Sequence, residues 1–168
     1  MKAICKFFCV MVAGSFIAYP VLVRADEPAF LSVAIGYFDL VQDHNKATEF
    51  RVEYRSDKAV SMFKPFFGMM GTNDSTFYGY GGFLLDLFYG RRFVVTPSLA
   101  AGYYAEGDGK DLGHELEFRS SVEMSYRFDD RSRIGLSFYH LSNASISSKN
   151  PGTEVLSIVY SIPLNKVD

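Results

Sequence analysis

Leu116-Glu117-Phe118-Arg119-Ser120-Ser121-Val122-Glu123-Met124-Ser125-Tyr126-Arg127-Phe128-Asp129 is the stretch that decides the fold. Leu116, Phe118, Val122, Met124, Tyr126 and Phe128 share one parity, interrupted only by Ser120, while Glu117, Arg119, Ser121, Glu123, Ser125, Arg127 and Asp129 share the other. A period of two belongs to a strand, whose side chains alternate between faces; on a helix the same residues would be scattered around the axis.

Working outward, the alternation recurs in segments of about ten residues, the length a tilted strand needs to cross a bilayer. Phe50, Val52 and Tyr54 oppose Glu49, Arg51, Glu53 and Arg55, and further stripes run through Leu31–Tyr37, Phe63–Met69, Phe77–Tyr89 and Phe93–Tyr103. Two C-terminal segments, near 131–143 and 153–164, bring the expected total to eight strands. The polar links around 43–46, 72–75, 106–111 and 147–151 alternate with tighter turns at Gly90-Arg91 and Asp129-Asp130-Arg131, although 57–60 is not clearly short. Short turns alternating with longer loops are the rhythm of an outer-membrane barrel, with the longer loops outside the cell.

Chemistry decides which face is outside. A charged side chain facing lipid at the bilayer midplane costs about 2–4 kcal/mol, so the face carrying Glu117, Arg119, Glu123 and Arg127 must be the interior. Eight strands enclose a space that side chains can fill, and Glu49, Arg51, Glu53, Lys64, Asp86 and Arg133 are expected to complete a closed polar core rather than a pore. The fold class expected is therefore all-β, an eight-stranded antiparallel transmembrane β-barrel with a polar filled interior. A soluble lipocalin-like barrel would satisfy the alternation alone, with its charges in water. The aromatic outward stripe and the alternating signs of the charges favour the membrane form.

Residues 1–25 read as a cleaved secretory signal, with Lys2 and Lys6 before an apolar run and small residues at Val23 and Ala25, leaving 26–168 as a single barrel domain. Cys5 and Cys9 both fall in the signal, so the mature domain has no thiol for a disulfide, a metal or catalysis. Without Lys2, Lys6 and Arg24, 14 basic residues face 19 acidic ones, which argues against nucleic acid as a partner.

Three polar residues interrupt the apolar face at one end. His140 and Ser142 continue the stripe of Ile134, Leu136 and Phe138, and Glu154 heads the stripe of Leu156, Ile158, Tyr160 and Ile162. A hairpin symmetric about Ser147 sets Glu154 opposite His140, with Cβ atoms about 4.5–5.5 Å apart. Ser142 follows on the same face about 7 Å along the strand. Such a set has the logic of a nucleophile, a base and an orienting carboxylate acting on an ester. His44 and His114 fall in loops, and His114-Glu115 with Asp108 and Asp111 matches no metal-ligand spacing. No metal or cofactor is expected.

The stretch His140-Leu141-Ser142-Asn143-Ala144, followed by Asn150-Pro151-Gly152, Glu154 and Ser161-Ile162-Pro163-Leu164, resembles the C-terminal signature of the outer-membrane lipid A 3-O-deacylases of the PagL type. The resemblance implies an esterase on the barrel's outer wall, in the outer membrane of a Gram-negative bacterium, cleaving the 3-position acyl ester of lipid A in lipopolysaccharide. It implies Ser142 as nucleophile, His140 as base, Glu154 as orienter and the Asn143 side chain as oxyanion donor. Ser145 stands where the family often has Gly. Strict alternation points Asn143 inward, so a bulge is expected there to turn its amide toward the substrate. A lipid-facing homodimer is compatible with the sequence but not required by it. The alternative function is a non-catalytic barrel, structural or adhesive; a palmitoyl-transferring barrel is disfavoured because its catalytic groups are not expected on this hairpin.

Overall fold

The computed structural model describes residues 27–42 and 45–164. The expected signal and His44 lie outside them. Nine strands follow in chain order: β1 (Phe30–Phe38), β2 (Ala47–Arg55), β3 (Lys64–Thr72), β4 (Phe77–Leu84), β5 (Leu87–Tyr89), β6 (Phe93–Ala105), β7 (Leu116–Arg127), β8 (Arg133–Ser142) and β9 (Thr153–Pro163).

The strands pair antiparallel around the ring, with β4 joined to β3 and β6, and β1 closes it against β9. β4 and β5 both pair with β6 and are consecutive halves of one stave, which leaves eight staves in the barrel, as the alternation requires. The interruption at Leu85 and Asp86 has a local cause. Leu85 N–H donates to Pro97 O at 3.0 Å, but Pro97 has no N–H to return, so the ladder lapses for two residues. Parity survives the lapse: Leu84, Asp86 and Phe88 are all buried inside.

The alternation fixes the two faces. Val33, Ile35, Phe50, Val52, Phe67, Met69, Leu99, Met124, Leu136 and Ile158 are exposed on the outer wall. Among the described residues no helix is long and apolar enough to cross a membrane; strands make the crossing. The lumen is packed with paired charges. Arg55 donates to Glu53 at 2.8 Å and to Glu123 at 2.6 Å, Arg119 meets Glu53 at 3.2 Å, and Tyr80 donates to Glu53 at 2.7 Å. Toward the opposite end from the long loops, Arg133 bridges Asp86 at 2.9 Å and Glu27 at 2.9 Å, and Thr96 donates to Asp86 at 2.7 Å. Charges removed from water need such partners, and Arg55, Arg119 and Arg133 find theirs largely on other strands; the buried Glu117 carboxylate makes no hydrogen bond among the described residues. The Arg119 guanidinium also lies 4.4 Å from the centre of the Tyr139 ring, so aromatic faces and charges together fill the space.

Candidate active site

The β8–β9 hairpin builds the site. Its register runs Ile134↔Tyr160, Leu136↔Ile158, Phe138↔Leu156 and His140↔Glu154 without a bulge. Each of these pairs faces outward, so the last one places an imidazole and a carboxylate on an otherwise apolar wall. His140 Nδ1 lies 3.1 Å from Glu154 Oε1, with the His side chain 40% and the Glu side chain 20% exposed. The Glu154 carboxylate thereby fixes Nδ1 as the protonated nitrogen and leaves Nε2 as an acceptor.

Ser142 ends β8 on the same face, half-buried, opposite Phe118 of β7. Two residues of strand separate it from His140, about 7 Å. Among the described residues, no hydrogen bond joins Ser142 Oγ to the ring. The structure therefore brings His140 and Glu154 together and sets Ser142 alongside, on the correct side of the wall. Catalytic hydrogen bonds often tighten only when substrate binds.

Asn143 takes the other side. The strand stops at Ser142 without a bulge, and Asn143 keeps the inward direction its parity assigns, fully buried. Its Nδ2 donates to Leu112 O at 3.0 Å and to Lys149 O at 2.8 Å, and its Oδ1 accepts from Ser145 N–H at 3.1 Å. Both carboxamide protons are thus committed to the loops rather than to the outer wall. The expected bulge does not form; the carboxamide instead serves two loop carbonyls, the buried Leu112 O and the part-buried Lys149 O. Asn143 N–H is given to Asn150 Oδ1 and Ile146 N–H to Asn143 O. Among the described residues, no hydrogen bond is made by the Ala144 N–H, the amide next after Asn143. Ala144 and Ser145 have φ of 51° and 64°, the left-handed region, so Ser145 adopts the conformation that a glycine takes at lower cost.

Two residues that the alternation does not single out lie behind the ring, one against it and one against the backbone that precedes Gly152. Gly152, at φ 63°, packs so closely that a Cβ there would lie 2.6 Å from His140 Cε1 and 3.2 Å from Nε2. Gln42, in the β1–β2 turn, donates to Pro151 O at 2.7 Å. Gly152 stands in the quoted motif, and its left-handed φ is the physical reason for glycine there. Gln42 is 109 residues away from its partner in sequence and carries no pattern that could flag it.

The β6–β7 loop braces the same hairpin. Lys149 Nζ meets Asp111 Oδ2 at 2.5 Å, and this bond together with one from Gly113 N–H holds the Asp111 carboxyl below the ordinary carboxylate range. His114 Nδ1 accepts from Leu116 N–H at 2.8 Å. On the outer wall, Ser120 of β7 is the neighbour of His140 across the ladder. From Ser120 an apolar groove runs across Leu99, Pro97 and Phe83 to Val60 and Phe63.

Residues 18–163 match the family described as lipid A 3-O-deacylase (PagL). The lipid A deacylase PagL of Bordetella bronchiseptica is 27% identical over 73 residues, which cover 42% of this chain and 41% of that protein. The match thus spans about two-fifths of that curated relative's length. The crystal structure of the outer membrane enzyme PagL superposes with a TM-score of 0.60 at 20% identity, covering 80% of this chain and 99% of that one. A barrel from the de novo design of transmembrane β-barrels superposes with a TM-score of 0.59 at 11% identity, covering 84% of this chain and 100% of the design. A designed barrel fits as well as an enzyme does, so superposition speaks for the fold and not for chemistry. It is the sequence match, running through the barrel and the hairpin that carries His140, Ser142 and Glu154, that places this outer-membrane β-barrel in the lipid A 3-O-deacylase (PagL) family.

Proposed function

We propose that this chain hydrolyses the 3-position acyl ester of lipid A in the outer leaflet, as a carboxylic ester hydrolase with a Ser-His-Glu triad on its lipid-facing wall. The observation that carries the reading is the 3.1 Å contact between His140 Nδ1 and Glu154 Oε1, a polar pair set on an apolar face where it has no structural partner to satisfy. An imidazole and a carboxylate on a lipid-facing wall are costly to place, and such residues mark functional sites by default.

In this reading Glu154 holds the His140 tautomer, and His140 Nε2 accepts the proton as Ser142 Oγ bonds to the ester carbonyl carbon. The negative charge that develops on the carbonyl oxygen needs donors at about 2.7–3.1 Å. With the Asn143 carboxamide bound to Leu112 O and Lys149 O, its part is to shape the turn, and the adjacent Ala144 N–H serves the oxyanion instead. The proton on His140 then passes to the departing sugar oxygen, leaving the acyl group on Ser142. Water, deprotonated by His140, attacks that acyl carbonyl and releases the fatty acid and the free serine. No metal or cofactor enters any of these steps. The apolar groove that starts at Ser120, beside His140, supports an acyl chain lying along the wall.

Incubating the purified barrel in detergent with lipid A tests the reading. Wild type is expected to release free fatty acid, and Ser142→Ala, folded to the same extent, is expected to release none. Release at the wild-type rate by Ser142→Ala would remove the serine from the mechanism.

A further inference from the structure

Gln42 lies on the first long loop, far in sequence from the hairpin that bears His140, yet it grips that hairpin directly. Its Nε2 donates to Pro151 O at 2.7 Å and reaches Gly152 O at 3.5 Å. Its Oε1 accepts from Lys110 Nζ at 3.0 Å, and Lys110 is itself fixed to the buried Asp39 carboxylate at 2.5 Å. Thr153 Oγ1 donates to the same Asp39 oxygen at 3.3 Å. The segment from Pro151 to Thr153 is therefore clamped from the lumen side by groups of the β1–β2 and β6–β7 loops. Its lipid side meets the catalytic ring: the Gly152 backbone abuts Cε1 and Nε2, the edge of the imidazole that faces away from Glu154.

We propose that Gln42 is a positioning residue for the base, holding the Pro151–Gly152 backbone as a wall that keeps His140 Nε2 within reach of Ser142. The inference rests on the reading of His140 as general base. The residue has to be glutamine because it must donate to a carbonyl and accept from an ammonium at once; the chemistry of a primary amide meets both demands with one side chain. Leucine meets neither. Glutamate keeps the Lys110 contact, in a stronger charge-assisted form, but has no proton for Pro151 O. A role in loop stability alone would thus be met by Gln42→Glu, whereas positioning would not.

The test compares Gln42→Glu and Gln42→Leu with wild type, using lipid A hydrolysis in detergent and the rate at which a long-chain fluorophosphonate labels Ser142. Folded protein is quantified by the gel mobility of unheated barrel. Per folded molecule, both variants are expected to lose about 10- to 100-fold in kcat and in labelling rate, with KM unchanged, the loss that follows a displacement of about an ångström. Wild-type kcat in Gln42→Glu, a change confined to KM, or a loss accounted for entirely by the unfolded fraction would each overturn the proposal. Wild type that neither cleaves lipid A nor takes the label would instead defeat the triad reading on which it rests.

Discussion

Replacing Gly152 by alanine puts a methyl group against the base. The new Cβ would lie 2.6 Å from His140 Cε1 and 3.2 Å from Nε2. Carbon atoms settle at about 3.5–4.0 Å, so the ring has to retreat by about 1 Å. It is the movable partner, being the end of a side chain, and it cannot swing without lengthening the 3.1 Å bond to Glu154. The φ of 63° at this position adds a cost of about 1–2 kcal/mol for any residue with a Cβ. Stability should therefore fall by only that small amount, because Gly152 precedes β9 and lies outside the barrel ladder. Activity should fall much further: an ångström of misplacement costs about 100-fold in rate, or about 2.7 kcal/mol in the barrier. The assay is kcat on lipid A per folded barrel, with folding read from gel mobility and urea titration. A folded Gly152→Ala barrel with wild-type kcat would refute the placement of the ring, and with it the base.

Three more outcomes follow from the same contacts. Glu154→Gln can present an N–H to His140 Nδ1 and favour the tautomer whose Nε2 is already protonated; kcat should fall by up to about 10,000-fold with the barrel intact, as measured by fatty acid release. Arg133→Met leaves the Asp86 and Glu27 carboxylates, now bonded at 2.9 Å each, short of their shared cation inside the barrel. Breaking a buried pair from one side costs about 3–5 kcal/mol, to be read as a shift in urea unfolding from vesicles. The Asp111 carboxyl is held low by Lys149 and by Gly113 N–H. A depressed carboxyl contributes to stability above the ordinary aspartate range and loses that contribution as acid protonates it. Limited proteolysis of the β6–β7 and β8–β9 loops should thus rise at low pH in wild type, and be raised and insensitive to acid in Asp111→Asn.

Parity made most of this architecture legible. In a membrane barrel the charges of β7 had to lie inside, and the residues named from sequence as its core, Glu49, Arg51, Glu53, Lys64, Asp86 and Arg133, are all buried. Parity also placed Glu154 across from His140, because a hairpin with a fixed centre leaves one register. It fails where the strand ends. Asn143 follows the inward direction, and its side chain is taken by groups from elsewhere, the carbonyls of Leu112 and Lys149. The break between β4 and β5 was hidden for a similar reason, since it arises from a proline on the neighbouring strand. Gln42 was beyond reach altogether: its contacts with Pro151 and Lys110 exist only once three loops have met above the closed barrel.

The central claim is that the polar trio on the outer wall is an esterase for lipid A. The mass spectrum of lipid A from Gram-negative cells carrying the wild-type chain or Ser142→Ala, at matched levels of folded barrel in the outer membrane, tests it most directly. Wild type should yield lipid A lighter by the one acyl chain esterified at position 3, and Ser142→Ala should leave lipid A intact. Identical spectra from cells with wild type, with Ser142→Ala and with no barrel would contradict it.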